Sequence, residues 1–414
     1  MKKLVALLLV LAFLSLVWAG DPPSEGCKQT DPSKVIMVIN RDSSDLSFID
    51  TDTDTVCGRV SIGDWQNPHM AMFRPKGDRI VVSGTMRNQI HVIEFPSLKL
   101  LASIDTGNEP EHLDVTVDNR YAFVGLMADD QVSVIDMDAC TEVKRIDGFF
   151  GPHGITTWPC PCLAWKGERC VEGGMKPRVY IGNLHAHEVG IVDGESLELI
   201  SRIRVGNADQ LSKLNPDQGL GEVNGVANPT LVPNGKYVYA ADDDSGTLSI
   251  IETEGNTVVK TLVLGEGAWR AYSSPDARYM VIPCNGDETV RVVDTEKMAE
   301  VAQFPAGGNM TGANFVMGGK KCYVVSTLPD GQGGVLWVYD LESMTAKGRI
   351  SFGANTVIET ACTHPDWKRI YLACSNRNSV FVINGEDDSV KEITNVGQYP
   401  WGTHSFRGGD NYCH

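Results

Sequence analysis

His69 and His153 stand in one register, each a single residue after a proline, in Pro68-His69 and Pro152-His153. His112 lies at the corresponding place between them, two residues after Pro110, and His185 and His187 follow in Asn183-Leu184-His185-Ala186-His187. Neutral imidazole is a good ligand for copper, iron and zinc. If the fold gathers these five side chains, they are candidate metal ligands, and Glu111, Asp114 and Glu188 are candidate carboxylates to hold the rings from behind. Trp269-Arg270 and Trp401 occupy the same register further along the chain. Aromatic and guanidinium groups suit a planar or anionic ligand. For any one residue alone the bland alternative stands: a histidine that bonds a backbone carbonyl, a tryptophan that packs. His91 and His364 fall outside the pattern and read as structural, while His404 sits mid-strand.

The elements that must position these residues are written as a repeat. A short apolar run, a turn, an Arg-Tyr or Lys-Tyr-Val-Tyr segment, a polar loop, a Val-x-Val-Ile-Asp run and a Thr-rich turn recur about every 40 residues. Examples are PEHLDVTVDNRYAFVG from Pro110, NGVANPTLVPNGKYVYAA from Asn224 and VIETACTHPDWKRIYLAC from Val357. Four short strands per unit at that period describe propeller blades. Seven units are complete. The eighth, PWGTHSF from Pro400, stops after one strand, and VIMVIN from Val35 with the segment after it supplies the other three. The expected fold is therefore all-β: an eight-bladed β-propeller closed by strand sharing between the termini, or seven blades if one unit is wrongly split. Closure leaves no long exposed sheet edge.

In such a blade the first strand begins at the upper rim beside the central channel. Pro68, Pro110 and Pro152 open three successive first strands, so the five histidines are expected on one rim. Two insertions depart from the repeat length, 159–176 on the lower face and 207–222 on the upper, where the second could act as a lid.

Met1-Lys2-Lys3, the apolar run Leu4–Val17 and the small residue Ala19 form a signal peptide, with residues 20–34 as a loose arm and 35–414 as one propeller domain. The run is too short for a confident membrane span. Removing it leaves 34 basic against 53 acidic side chains, a net of −19. That argues against nucleic acid and anionic membrane surfaces as partners and reads most simply as the solubility of an exported protein. The expected location is the periplasm or the exterior, where disulfides persist. Cys140 is expected to bridge to Cys160, Cys162 or Cys170, and Cys27 to Cys413, with Cys57 as the rival partner. Cys284, Cys322, Cys362 and Cys374 read as buried small apolar residues. Cys413-His414 lacks the upstream cysteine of a CxxCH haem site, since residue 410 is Asp.

Asn40-Arg41-Asp42 before LSFID, STLPDGQGGVLWVYDL from Ser326 and the closing Trp401-Gly402-Thr403-His404-Ser405-Phe406 carry a family resemblance. Over residues 35–406 the chain resembles the haem d1 propellers of dissimilatory nitrite reductases and their cofactor-assembly relatives, and the wider YVTN-repeat propellers. The resemblance implies a haem d1-like tetrapyrrole held by His69, which precedes the turn glycine Gly77 at the family's spacing. Where the family carries two distal histidines this chain has Ala227-Asn228 and Trp269-Arg270. The resemblance thus implies a tetrapyrrole-sized pocket without nitrite reductase activity, and it leaves His112 and His153 unexplained.

The leading reading is an exported propeller binding a redox cofactor on its upper face. That cofactor is either a haem d1-like macrocycle with His69, Trp269, Arg270 and Trp401, or copper on His69, His112 and His153. A periplasmic electron-transfer or assembly protein is the expected partner. The rival is a non-catalytic scaffold for a protein or glycan. A hydrolase built on Glu111, Glu222 and Glu359 is weaker, because no nucleophile motif accompanies them.

Overall fold

A computed structural model describes residues 26–158, 177–206, 223–232 and 235–410. The signal peptide, both insertions, Cys160, Cys162, Cys170, Cys413 and Glu222 lie outside the described residues.

Eight separate antiparallel sheets form the fold, and each is one blade. Blade 1 is composite. The strands Val35–Asn40, Asp45–Asp50 and Thr55–Ser61 are joined on the inner side by Pro400–Ser405, in the order expected from the repeat. Blades 2 to 8 follow in chain order, spanning 68–105, 110–147, 152–204, 229–263, 272–305, 309–351 and 358–394. The fold is an eight-bladed β-propeller, and the count of eight stands.

The repeat's residue types explain the blade. In the third strand the Val-x-Val-Ile-Asp run ends in an aspartate whose carboxylate accepts two backbone N–H groups of the next turn. Asp136 takes those of Asp138 and Ala139, and Asp340 those of Glu342 and Ser343. The turn is thereby tight enough to leave Cys140 and Met344 at φ of 53° and 51°. The second-strand tyrosines Tyr180, Tyr239, Tyr323 and Tyr371 are fully buried between blades. Their hydroxyls reach the outer turn of the following blade: Tyr371 donates to Asp54 Oδ1 at 3.0 Å, and Tyr323 to Asp388. One residue type thus fills the inter-blade core and satisfies its own polar tip.

Three details depart from the sequence reading. After the closing strand the chain adds a further short strand, Gly409–Asp410, which pairs with the inner strand of blade 8 at Cys362 and Thr363. Gly408 allows this, since a Cβ there would run into the Thr363 carbonyl and the Ser405 hydroxyl. Residues 26–34 are not a loose arm. Cys27 N–H donates to the Pro96 carbonyl, and Asp31 caps the single 3-10 turn Pro32–Lys34. Cys27 bonds to Cys57, the rival partner, and not to Cys413; the α-carbons are 5.0 Å apart. The arm runs beside the outer strand of its own blade, and that proximity decides the pairing. Cys140 forms no disulfide with a described residue, and its expected partners lie outside that set. Cys284, Cys322, Cys362 and Cys374 are buried thiols, as expected.

Candidate functional site

The inner strands of blades 2, 3 and 4 are Pro68–Phe73, Pro110–Val115 and Pro152–Trp158. Each begins with the same irregularity. Pairing with the second strand is made at the proline, lost for two residues, and resumed at Ala71, Leu113 and Ile155. A bulge at a strand end breaks the strict alternation of side chains and re-aims them. This is how the consecutive residues Glu111 and His112 both reach one cluster, and why a histidine two residues after its proline meets histidines one residue after theirs.

His69, His112 and His153 do converge. The ring centroids of His69 and His112 are 5.0 Å apart, and those of His112 and His153 are 3.9 Å apart. Glu111 lies between the outer two, with Oε1 3.8 Å from His69 Nδ1 and Oε2 3.8 Å from His153 Nε2. The potential ligand atoms of His69, Glu111 and His112 all lie within 4.8 Å of one another. His112 and His153 are buried. Burial, reinforced by Glu109, pushes the Glu111 carboxyl up to about 7 despite the opposing pull of Arg41. Burial likewise pushes His153 down to about 4, so its ring is neutral at ordinary pH. His153 Nδ1–H donates to the Ala227 carbonyl at 2.9 Å, which leaves the lone pair on Nε2, toward Glu111. Gly154 makes that contact possible: its N–H donates to the same carbonyl at 2.7 Å, and a side chain there would strike Asn228.

Arg41 was not singled out as a site residue by the sequence reading. It follows the first strand of blade 1, and its backbone N–H donates to the Tyr399 carbonyl of the closing segment at 3.0 Å. Its guanidinium carbon lies 3.2 Å over the Trp401 ring, and Nη2 donates to His69 Nδ1 at 2.7 Å. Trp401 in turn stands 5.8 Å from the His69 ring and 6.4 Å from Tyr399. The available signal in sequence was topological: strand sharing puts residues 41 and 401 on one blade.

The remaining sequence candidates have other settings. Trp269 sits edge-on, 6.3 Å from His153. Arg270 lies over Tyr272, and the Asn228 amide, turned with its oxygen toward the guanidinium, accepts from it at 2.8–3.0 Å. His185 and His187 do not join the three-histidine cluster. His185 packs over Gly151, where a Cβ would collide with its ring. His187 donates through Nδ1 to the buried Asp242 at 2.7 Å, in a pair between the loops of blades 4 and 5. The bulged strand entries aim at the channel, whereas the loop carrying these two turns them toward its neighbours.

Below the rim the channel holds a cavity of about 150 Å³, lined by Asn228, Arg270, Tyr272, Asn314, Phe315 and Trp367 among others. That is well under the roughly 300–1,000 Å³ of small-molecule sites.

No protein-family model and no curated protein matches the chain. Solved structures do. Dihydro-haem d1 dehydrogenase NirN in complex with DHE superposes with a TM-score of 0.72 at 13% identity, covering 93% of this chain and 78% of that one. What the two share is the β-propeller fold. Hydrazine synthase of Kuenenia stuttgartiensis gives 0.53 at 18% identity, over 81% of this chain and 97% of that one. A functionally unknown protein of Desulfotomaculum acetoxidans gives 0.56 at 12%, over 90% and 98%. At these identities the likeness is one of fold, and function has to be argued from the site.

Proposed function

We propose that this chain is an exported propeller that binds a redox-active metal ion, copper by its donor set, at the upper-face histidine cluster. The observation that carries this reading is the convergence of His69, Glu111 and His112 ligand atoms within 4.8 Å, with His153 against His112. Imidazole with one carboxylate suits copper(II). The fit differs from residue to residue. His153 has the tautomer of a ligand, with Nδ1–H on a carbonyl and the lone pair of Nε2 toward Glu111. His69 has the reverse arrangement. A guanidinium only donates, so Nδ1 accepts from Arg41 and the neutral ring keeps its proton on Nε2. Glu111 and His112 would hold the ion, His69 completes the group once Arg41 turns aside, and His153 stands against His112.

A bound copper ion would supply one-electron transfer. The chain's own part is to hold the ion with Glu111 and to exclude water through the buried His112 and His153. Export rests on residues 1–19. The Cys27–Cys57 disulfide fits an oxidising compartment, and among the described residues no helix is long and apolar enough to cross a membrane. A periplasmic electron-transfer or assembly protein is the proposed partner.

A second reading puts a haem d1-like macrocycle on His69. The likeness to NirN supports it; the Arg41–His69 hydrogen bond opposes it, because it leaves the proton on the nitrogen that would have to bind iron. Metal analysis and a visible spectrum of protein from its native host separate the readings. Stoichiometric copper that is lost in His112→Ala and Glu111→Gln supports the first. An intense macrocycle absorption supports the second. Neither metal nor chromophore would leave the non-catalytic scaffold for a protein or glycan.

A further inference from the structure

We propose that the channel cavity below the histidine rim binds a short-chain carboxylate of about four carbons, with Arg270 holding the carboxylate end. The cavity lies between the inner strands of blades 4 to 8, and Gly409 of the added strand forms part of its wall. Among the described residues that line it, Arg270 is the one charged side chain. Trp269 and Arg270 are consecutive but serve different places: Trp269 stands edge-on to His153, whereas Arg270 lines the space beneath. The guanidinium is held in position, 4.9 Å over the Tyr272 ring, with the Asn228 amide oxygen accepting at 2.8–3.0 Å. Five N–H donors allow it to hold that amide and a carboxylate together.

The wall hydroxyls decide which end of a ligand meets Arg270. Thr230 Oγ1 donates to the Ala271 carbonyl at 2.6 Å, the Tyr272 hydroxyl to the Thr311 carbonyl at 3.0 Å, and Thr363 Oγ1 to the Phe315 carbonyl at 3.2 Å. With their hydrogens engaged by the backbone, what they offer a ligand is lone pairs, which an anion avoids. The carboxylate is left to the guanidinium, whose fork matches it in shape and charge. Ile155, Leu231, Ala313 and Phe315 are buried, line the same space and suit an aliphatic tail. Size sets the length of that tail. A cavity of about 150 Å³ takes up a molecule of benzene's size, about six heavy atoms, and butyrate has as many.

None of His69, Glu111, His112 and His153 lines this cavity, so the inference stands apart from the metal. Butyrate is titrated by calorimetry into the full-length mature protein at constant ionic strength. Butyramide (the same size without the charge), octanoate (too long) and chloride serve as controls. The expected result is saturable butyrate binding, at least about tenfold tighter than that of any control, and weakened about tenfold or more in Arg270→Met. Ala313→Val, which fills part of the space and leaves the charge, should weaken butyrate as well. His112→Ala should bind butyrate like the wild type whatever its copper content. Butyrate should also raise the melting temperature of the wild type. Should the variants fail to fold, the ligand series on the wild type still decides. The proposal is overturned by no saturable butyrate binding, by butyramide or octanoate binding as tightly, or by unchanged binding in Arg270→Met. Loss of butyrate together with copper in His112→Ala would place the anion at the metal and overturn it too.

Discussion

Met37, in the first described strand of the chain, lies directly opposite His404, in the closing strand, within one antiparallel ladder. The ladder runs from Ile36 with Ser405 to Asn40 with Pro400. Asn40 reinforces it by donating its amide to the Val396 carbonyl at 2.9 Å. Deleting residues 400–414 therefore strips the inner strand from blade 1 and exposes Val35–Asn40, now fully buried, as an edge. Severe loss of stability and a broadened melting transition are expected. A truncated chain that melts like the intact one would show that the closure contributes little.

The architecture was legible because it is repeated. Aspartates such as Asp136 and Asp340 and tyrosines such as Tyr239 and Tyr371 recur at a fixed offset, and each repeats one local device. The strand Gly409–Asp410 and the pinned segment around Cys27 were not legible, since each occurs once. Their pairing depends on which surface the folded ring happens to present.

Cys27–Cys57 spans 30 residues. In the chain-entropy account a loop of that length confers roughly 3–4 kcal/mol. Reduction, or Cys57→Ser, should lower the denaturation midpoint accordingly. Peptide mapping without reductant should recover residues 27 and 57 in one linked fragment; a 27–413 fragment in its place rejects the pairing.

His91 is fully buried and serves the fold. Its Nε2–H donates to Gln66 Oε1 at 3.0 Å, and Nδ1 accepts from the Ser103 hydroxyl at 2.9 Å. Burial pushes its folded pKa down to about 4. Above about 6.5 the ring is neutral in both states, so it adds no pH dependence there. As pH falls from 6.5 toward 4 the unfolded chain takes up a proton that the folded one refuses. Stability should then drop by on the order of 3 kcal/mol. His91→Gln should flatten that acid limb in urea titrations between pH 7.5 and 4.5, leaving the part due to His153. An unchanged limb would mean His91 is protonated in the fold.

Half of the site could be read from spacing. Two proline-histidine pairs, with His112 at the corresponding entry of the repeat between them, pointed to His69, His112 and His153 because inner-strand entries share a rim. Arg41 escaped because the feature that makes it a site residue, contact with Trp401, joins the two ends of the chain. Glu111 was read as a supporting carboxylate. It sits instead between two rings, because the bulge turns both it and His112 toward the cluster.

His187 tests whether rim position or side-chain direction decides ligation. It shares the upper face with the cluster but donates to Asp242, which also accepts from the Ser245 backbone N–H and hydroxyl at 3.0 and 2.7 Å. Burial alone would lower its pKa; the Asp242 hydrogen bond and charge outweigh that and raise it. The charged pair therefore contributes in full below the ordinary imidazole range near 6.5 and fades as pH climbs through the raised folded value. His187→Gln should cost about 1.5–3 kcal/mol at pH 6 and clearly less at pH 9. Copper content should match the wild type at both, whereas His112→Ala should lose copper at both. If His187→Gln loses copper as His112→Ala does, His187 is a ligand after all, and the cluster must rearrange to include the loop of blade 4.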